Sequence, residues 1–247
     1  MRSIISFVIF CVLLFPNFVN AENSGNKWSF YTGMFDFSDD GKKSNLFGIQ
    51  HINEDLYKLF LDQDMQYSCA YFHNPNMSLD QAQKDKKQHI IKKLQITENM
   101  DVLDIGCGWG GMAIEIAKST GAKVKGITLS ENQFKTASER AQKEGLSDKV
   151  SFALQDYRNE TEKYDRIVSV GMFEHVGIKY FKTYLSKAND ILKENGVFLL
   201  HTIGQRGKPT ATSPWIRKYI FPGGYIPSLS EVMNETQKLN ILSLIHI

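Results

Sequence analysis

From residue 101 onward the chain alternates between short apolar runs and amphipathic stretches, and this alternation restricts the fold more than any other feature. The apolar runs have the length of strands and lie at 101–105, 122–129, 149–154, 164–170 and 196–203. Apolar residues at helical spacing lie between them, in 111–120, 130–144 and 178–192. Strands that alternate with helices predict a parallel sheet covered by helices on both faces. Such sheets bind their ligands beyond the carboxyl ends of the strands.

Two helices are predicted ahead of this region. Apolar residues at helical spacing run from Glu54 to Met65, and Ser78 begins a second helix with the capping pattern SLDQ. The second helix carries a dense lysine run from Lys84 to Lys93. We interpret this run as a solvated helix face, and the alternative is a patch for anionic lipid headgroups. A formal charge of only +2 on the whole chain argues against a nucleic-acid partner.

The first 21 residues form a separate unit. Arg2 precedes an apolar run from Ile4 to Phe15, and small residues lead up to Ala21. This order predicts a secretory signal peptide cleaved after Ala21, with an uncleaved membrane anchor as the alternative. We therefore expect a location in the secretory pathway or at a membrane. Cys69 and Cys107 lie inside motifs and do not indicate a disulfide framework.

The segment LDIGCGWGG at 103–111 follows the first strand of the alternating region and opens a helix. Gly106 and Gly108 permit a tight turn and a close approach of the backbone to a ligand. The loop lacks the lysine of a phosphate-binding loop and the third glycine of a dinucleotide site. It therefore favours S-adenosylmethionine, with Asp104 suited to bind an amino group or to order the loop. A purely structural glycine turn is the alternative.

Further polar candidates follow the next two strands. The segment GITLSENQ at 126–133 has no carboxylate where one often holds a ribose, so Thr128 and Gln133 are the candidate contacts. After the following strand, Asp156 is placed to meet an adenine amino group and Tyr157 to cover the ring. Tyr157 taken alone is equally typical of ordinary packing.

A glutamate and a histidine stand near the ends of the last two strands. Glu174 follows VSVGMF, and His201 lies within GVFLLHTI. Taken singly, Glu174 is typical of a helix cap, His201 of a satisfied core histidine, and Cys69 of a small buried hydrophobe. Only their joint occurrence in one ordered set of motifs favours a functional site.

That ordered set consists of YSCAYF (67–72), VLDIGCGWGG (102–111), GITLSENQ, LQDYR (154–158), YDRIVSVGMFEHVG (164–177) and FLLHTIG (198–204), followed by PWIRKYIFPGGYIPS (214–228). Together the motifs resemble the cyclopropane-fatty-acyl-phospholipid synthase and mycolic-acid methyltransferase family over roughly residues 50–235. The resemblance implies an α/β fold of the class I methyltransferase type, with a Rossmann-like sheet, an N-terminal helical cap and S-adenosylmethionine as the methyl donor.

The resemblance also implies two sets of site residues. Contacts to the cofactor are expected from Tyr67, Ser68, Asp104, Gly106, Cys107, Gly108, Gly110, Thr128, Leu129, Gln133, Asp156 and Tyr157. The family transfers a methyl group to a cis double bond of a phospholipid acyl chain and closes a cyclopropane ring after a proton is lost. A bound bicarbonate is implied as the base, held by Cys69, Glu174, His201 and Ile203, with rings such as Tyr71, Phe72 and Phe173 near the cation. No metal ligands are expected.

On this basis we expect four parts. They are a leader or anchor at 1–21, a helical cap at 22–95, a domain that binds S-adenosylmethionine at 96–205, and the start of a lipid-site segment at 206–247. The family continues further and supplies another tyrosine to the bicarbonate site, so we expect the C-terminal region to be truncated. Two alternatives to lipid cyclopropanation stay open: methyl transfer to a small amine, and an inactive remnant that only binds the cofactor.

Overall fold

The computed structural model describes residues 5–11, 57–205, 207–239 and 242–246, and these contain one parallel sheet. Its seven strands are β1 Ile5–Cys11, β2 Asp101–Ile105, β3 Lys123–Thr128, β4 Val150–Leu154, β5 Tyr164–Val170, β6 Leu192–Ile203 and β7 Leu242–His246. Their spatial order is β4-β3-β2-β5-β6-β1-β7, and every pair is parallel. The five strands predicted after residue 100 are confirmed.

The order of the strands places a crevice at the middle of the sheet. The chain runs outward from β2 through β3 to β4 on one side, whereas β5, on the other side of β2, leads outward to β6. Leu103 of β2 pairs with Ile167 of β5 at this reversal. Ligands of open α/β sheets bind beyond the carboxyl ends of the strands at such a switch point.

Helices cover both faces of the sheet, as predicted. They are α1 Leu79–Leu94, α2 Gly111–Thr120, α3 Glu131–Lys143, α4 Phe181–Ile191 and α5 Leu229–Lys238. One core contains Phe181 and Tyr184 of α4 with Val232 of α5. The other contains Ile90 of α1 and Met112 of α2. Burial of these apolar side chains on both faces fixes the strands whose ends carry the polar motifs.

The helix predicted at 54–65 is wrong from Leu59 onward. Only Tyr57 and Lys58 are helical, and the side chains of Leu59 and Phe60 are exposed. The Asp62 carboxylate accepts hydrogen bonds from the backbone N–H groups of Asp64 (3.2 Å) and Gln66 (2.8 Å). Because a short carboxylate can satisfy the backbone locally in this way, it competes with a continued helix.

The lysine run of α1 is only in part the solvated face that we expected, because Lys84 and Lys92 are exposed but Lys86 and Lys87 are buried. Lys86 and Lys87 are 3% and 6% exposed. The Lys86 Nζ atom donates to Ser68 Oγ at 2.6 Å, and the Lys87 Nζ atom donates to Asp64 Oδ2 at 2.5 Å. These two cations therefore anchor the segment before α1, and they are not available to lipid headgroups.

The N-terminal segment is described as a strand. Ile5–Cys11 pairs with β6 on one side and with β7 on the other. Cleavage after Ala21 would remove this strand, so the predicted leader and the observed pairing make opposite demands on the same residues. The leader stays a prediction, and residues 12–56, which include the first part of the predicted N-terminal cap, lie outside the described residues. Within the described parts of the chain, none of the helices is long and apolar enough to span a bilayer.

Candidate active site

Two neighbouring cavities lie at the carboxyl edge of the sheet. The first, of about 370 Å³, is lined by the residues that follow β2, β3 and β5. The second, of about 340 Å³, is lined by residues at the ends of β5 and β6 and by the segment before α1. Gln66, Tyr67, Ser68 and Gly171 belong to both walls. We call them the first cavity and the second cavity.

The glycine loop forms one side of the first cavity. Gly106 and Gly108 have φ values of +77° and +53°. Residues other than glycine adopt such positive φ values only with backbone strain. A Cβ on Gly106 would lie 2.7 Å from Met172, whereas one on Gly108 would have no neighbour within 4 Å. The N–H groups of Gly106 and Cys107 both donate to the Ile127 carbonyl at 3.0 Å. The loop is thereby tied to the end of β3 and stays open toward the cavity at Gly108.

The first cavity collects most of the predicted cofactor contacts. Its wall contains Tyr67, Ser68, Asp104, Gly106, Cys107, Gly108, Thr128, Leu129, Gln133 and Tyr157. Gly110 and Asp156 do not line it. A Cβ on Gly110 would lie 2.7 Å from Phe152, so this glycine packs against a neighbouring ring. The Asp156 carboxylate is engaged by the Arg158 guanidinium, with Nη2 to Oδ2 at 2.6 Å.

Thr128 and Gln133, the two predicted ribose contacts, are bonded to each other. The Thr128 hydroxyl donates to Gln133 Oε1 at 2.8 Å. The Ser130 hydroxyl caps α3 by accepting the Gln133 N–H at 3.3 Å. The first turn of α3 thus fixes both side chains at the end of β3, and both line the first cavity.

A buried carboxylate with an unused oxygen lies in the wall of the first cavity. Asp104 is 2% exposed, and its Oδ2 atom has no hydrogen-bond partner among the described residues. Burial raises the pKa of Asp104 to about 7, and the nearby Lys86 opposes this shift. Burial disfavours the charged form of Lys86 as well, and it lowers the pKa of that ammonium group to about 8. An acceptor of this kind fits a ligand that brings a cationic N–H donor.

All four residues predicted to hold bicarbonate line the second cavity. The cavity wall includes Cys69, Glu174, His201 and Ile203. Glu174 is fully buried in a short 3₁₀ turn, Phe173–His175, and its Oε1 atom accepts the Ile203 N–H at 2.6 Å. The Glu174 carboxylate thus accepts a hydrogen bond from the end of β6, and this contact is not that of a residue that caps the following helix. Burial raises its pKa, although the Ile203 N–H and the Thr202 hydroxyl oppose this shift.

The second cavity contains unused polar atoms in an otherwise apolar wall. Glu174 Oε2 and His201 Nδ1 are buried and have no hydrogen-bond partner among the described residues. Apolar side chains surround them, including Phe60, Leu61, Phe72, Leu79, Ile220 and Phe221. Among the aromatic walls expected from the resemblance, Phe72 is present, but Tyr71 stacks on His89 and Phe173 stacks on Phe181. The arrangement fits an apolar ligand beside a small polar group.

Only a thin partition separates the two cavities. It is formed by Gly171 after β5 and by the segment Gln66–Ser68. Gly171 has a φ of +70°, and a Cβ there would lie 3.2 Å from the Tyr67 carbonyl oxygen. The Gly171 N–H donates to the His201 carbonyl at 3.0 Å. The two backbones approach closely here, so a side chain at position 171 would press on the Tyr67 carbonyl.

An ion-pair network holds the segment before α1, which contains Asp64, against the glycine loop. The Asp64 carboxylate pairs with Lys87 of α1 and with Arg140 of α3. The same Arg140 guanidinium donates to the Trp109 carbonyl of the glycine loop at 2.8 Å. Lys87 and Arg140 lower the pKa of Asp64 despite its burial. One side chain, Arg140, therefore joins both walls of the first cavity.

Comparison with known proteins agrees with this geometry. The family described as mycolic acid cyclopropane synthetase matches residues 44–246 of this chain. This chain belongs to that family. The matched residues contain all the motifs on which the resemblance was based. The class I methyltransferase fold is confirmed.

Three similar proteins show how much of the chain the similarity covers. The cyclopropane-fatty-acyl-phospholipid synthase of Escherichia coli K12 is 46% identical over 79% of this chain and 50% of its own length. The mycolic acid cyclopropane synthase CmaA1, solved with SAH and CTAB, is 33% identical with a TM-score of 0.68, over 74% of this chain and 69% of that one. Coclaurine N-methyltransferase, bound to N-methylheliamine and SAH, is 27% identical with a TM-score of 0.64, over 76% and 56%. The chain spans about half the length of the curated relative from Escherichia coli.

Several site residues were not predicted from the sequence. Trp109 is buried in the wall of the first cavity, and its Nε1 atom has no hydrogen-bond partner in the described part of the chain. His175 also lines that cavity. His175 stood in the motif that contains Glu174, so its position was a usable signal. Arg140 lies in the last turn of α3, outside the motifs, and no local pattern indicates that it reaches Asp64 and Trp109.

Proposed function

We propose that this protein transfers a methylene group from S-adenosylmethionine to a cis double bond of a phospholipid acyl chain and so forms a cyclopropane ring. The observation that carries the proposal is the pair of adjoining cavities, one polar at Asp104 and one apolar around Glu174 and His201. Two reactants that meet at a thin partition are held in the geometry that a transfer reaction needs.

The first cavity has the groups that S-adenosylmethionine requires. The unpartnered Asp104 Oδ2 atom would accept from the amino group, and the open backbone at Gly108 would pass close to the amino-acid part. Thr128 and Gln133 would bind the ribose, and Tyr157 would cover the adenine. When bound, this cofactor supplies an electrophilic methyl group. The SAH bound to the related CmaA1 supports the assignment.

The second cavity has the groups that an acyl chain and a bicarbonate ion require. Its apolar wall would hold the hydrocarbon and exclude water, as buried apolar surface favours hydrocarbon over water. Glu174 Oε2 would accept the bicarbonate hydroxyl, and the neighbourhood of His201 and Cys69 would complete the small polar pocket. When bound, bicarbonate supplies the base that takes the proton. Phe72 and the neighbouring Tyr67 would offer ring faces to a developing cation.

Methyl transfer to a small amine is the second candidate, because coclaurine N-methyltransferase shares the fold at 27% identity. The wall of the second cavity argues against it. An amine would meet Glu174 as the carboxylate of that cavity, but would otherwise be surrounded by Phe60, Leu61, Phe72 and Ile220. A hydrocarbon chain matches this surface better than a solvated amine does.

The test is an assay of the purified chain with unsaturated phospholipid vesicles, S-adenosylmethionine and bicarbonate. Mass spectrometry should show a gain of one methylene per converted acyl chain and the loss of the double bond. An amine panel is run in parallel. Conversion of an amine without any change in the lipid would replace the proposal with the second candidate, and no conversion of either would favour a chain that only binds the cofactor.

A further inference from the structure

We propose that an anionic phospholipid bilayer docks on the surface formed by Ile178, Lys179, Tyr180, Trp215 and Arg217, which we call the basic aromatic face. This rests on the proposed function, because it names the membrane surface from which the second cavity would take its acyl chain. The lysine run of α1 is less suited to this purpose, since Lys86 and Lys87 are buried and bonded inside the protein and leave fewer cations at its surface.

The charge of the two segments that carry this face is one-sided. No aspartate or glutamate occurs between Glu174 and Asp190, or between Glu194 and Glu231. The same stretches contain Lys179, Lys182, Lys187, Arg206, Lys208, Arg217 and Lys218. In a chain with 29 lysine and arginine residues against 27 acidic residues, this local excess of cations is not a property of the whole composition. Clusters of this kind are attracted to anionic lipid surfaces.

The two segments meet in space. The Tyr225 N–H donates to the Glu174 carbonyl at 2.9 Å, and the rings of Phe181 and Tyr225 lie 6.1 Å apart. A shallow cleft of about 330 Å³ runs between them, with Lys179 and Tyr180 on one side and Arg217 on the other. Lys179 and Arg217, one from each segment, therefore belong to one surface.

Large apolar side chains are exposed in this cleft, at Ile178 and Tyr180, and in the sequence next to it, at Trp215. Ile178, Tyr180 and Trp215 are 49%, 55% and 59% exposed. Ile178 and Tyr180 lie in a 3₁₀ turn, and Trp215 directly precedes the π-helical turn Ile216–Ile220. Aromatic side chains with a polar edge beside lysine and arginine are typical of surfaces that sit at the level of lipid headgroups.

The face is connected to the second cavity through one short segment. Arg217 lies on the face, whereas Ile220 and Phe221, a few residues later, line the second cavity. Phe221 also packs edge-on against His175, with ring centroids 5.2 Å apart. A bilayer docked on the face would thus lie next to the cavity that is proposed to hold the acyl chain.

The experiment is cosedimentation of the full chain with phosphatidylglycerol and with phosphatidylcholine vesicles, without S-adenosylmethionine. The variants are K179E/R217E, W215A and, as a charge-matched control on the exposed side of α3, K135E/K143E. SAH affinity reports whether each variant is folded. We expect K179E/R217E to weaken binding to phosphatidylglycerol by about tenfold or more, W215A to weaken it a few-fold, and the control to leave it unchanged.

An equal loss in the control, or no loss in K179E/R217E, would overturn the docking face. So would a loss that follows a change in oligomeric mass, because the face would then bind a second copy of the chain. Activity separates this proposal from the last one. Vesicle binding that depends on the basic aromatic face, without any cyclopropane product, would support the docking proposal and contradict the proposed reaction. Cyclopropane product formed on vesicles by K179E/R217E at the wild-type rate would support the proposed reaction and contradict the docking proposal.

Discussion

The first cavity takes its walls mostly from residues that directly follow a strand, whereas the second cavity takes its walls from segments that are far apart in the sequence. Asp104 of the first cavity lies near the end of β2, and Gly106 and Gly108 lie in the short loop that follows this strand. In the second cavity, Cys69 precedes α1, Glu174 follows β5 and His201 lies in β6. The first cavity is therefore a property of local motifs in a parallel sheet, and the second depends on how distant segments pack.

The chemistry of the two cavities differs in the same way. Each has a buried carboxyl group with one unpartnered oxygen, Asp104 Oδ2 in one and Glu174 Oε2 in the other. Asp104 has a cation near it, Lys86, whereas the Glu174 carboxylate is bonded to the Ile203 backbone N–H. This difference suits the first carboxylate to binding a charged ligand and the second to positioning a small hydrogen-bonding one. Variants that separate binding from turnover can test it.

The largest expected effect is that of E174Q. The glutamine keeps the size of the side chain and an acceptor for the Ile203 N–H, but it loses the negative charge that faces the second cavity. We expect the cyclopropanation rate to fall by about 10²–10³, as for the loss of one preorganised group in a reaction site, with SAH affinity unchanged. Steady-state rates and calorimetry measure the two quantities. E162Q, at a glutamate whose side chain is 67% exposed, is the control.

Next in size is the loss of cofactor affinity in G108V. A branched side chain at a φ of +53° strains the loop and occupies the open side of the first cavity. We expect SAH affinity to fall by about tenfold or more. G145V is the matched control, because Gly145 has a φ of +69° and also has no neighbour within 4 Å, but lies outside both cavities. Equal losses in the two variants would mean that strain alone weakens the site.

The charge of Asp104 should make cofactor binding depend on pH. Its pKa lies at about 7, so the carboxylate is ionised above that pH, and affinity for the cationic amino group should rise as the pH increases through 7. D104N should flatten this profile and lower the affinity by about tenfold at pH 8, at the scale of one charge-assisted hydrogen bond. A wild-type affinity that does not change between pH 6 and 8 would contradict the assignment.

The same shift predicts the opposite trend for stability. A pKa raised from 3.8 to about 7 means that the folded chain keeps a proton which the unfolded chain releases. The contribution of Asp104 to stability therefore falls as the pH rises from about 4 to 7. Without ligand, D104N should be more stable than the wild type to urea at pH 8, with little difference at pH 4. Reduced stability of D104N at pH 8 would show that the carboxylate is satisfied in the folded chain.

The smallest effect is expected at the partition between the cavities. In G171A the new Cβ would lie 3.2 Å from the Tyr67 carbonyl, at a φ of +70°. The cost of the strained backbone is about 1 kcal/mol, so the chain should still fold and bind SAH. We expect the cyclopropanation rate to fall about three- to tenfold, because the reacting groups are pushed apart. G145A controls for the backbone strain, and an equal fall in rate there would remove the partition from the account.

The sequence predicted the five central strands and most of the first cavity, because the strand lengths, the glycines and the flanking polar residues are local signals. It also named Cys69, Glu174, His201 and Ile203, but only through the resemblance, since each alone has an ordinary structural reading. The folding of Lys86 and Lys87 into the protein could not be predicted, because helical spacing alone did not show that Asp64 and Ser68 lie against α1. The bond between Glu174 and Ile203 joins the ends of two strands and has no local signal.

A crystal structure of the protein with SAH and a long-chain amphiphile would test the central claim most directly. The account predicts SAH along the glycine loop with its amino group at Asp104, its sulfur toward Gly171 and Tyr67, and the alkyl chain in the second cavity beside Glu174. An alkyl chain outside the second cavity, or a sulfur atom directed away from Gly171, would contradict it.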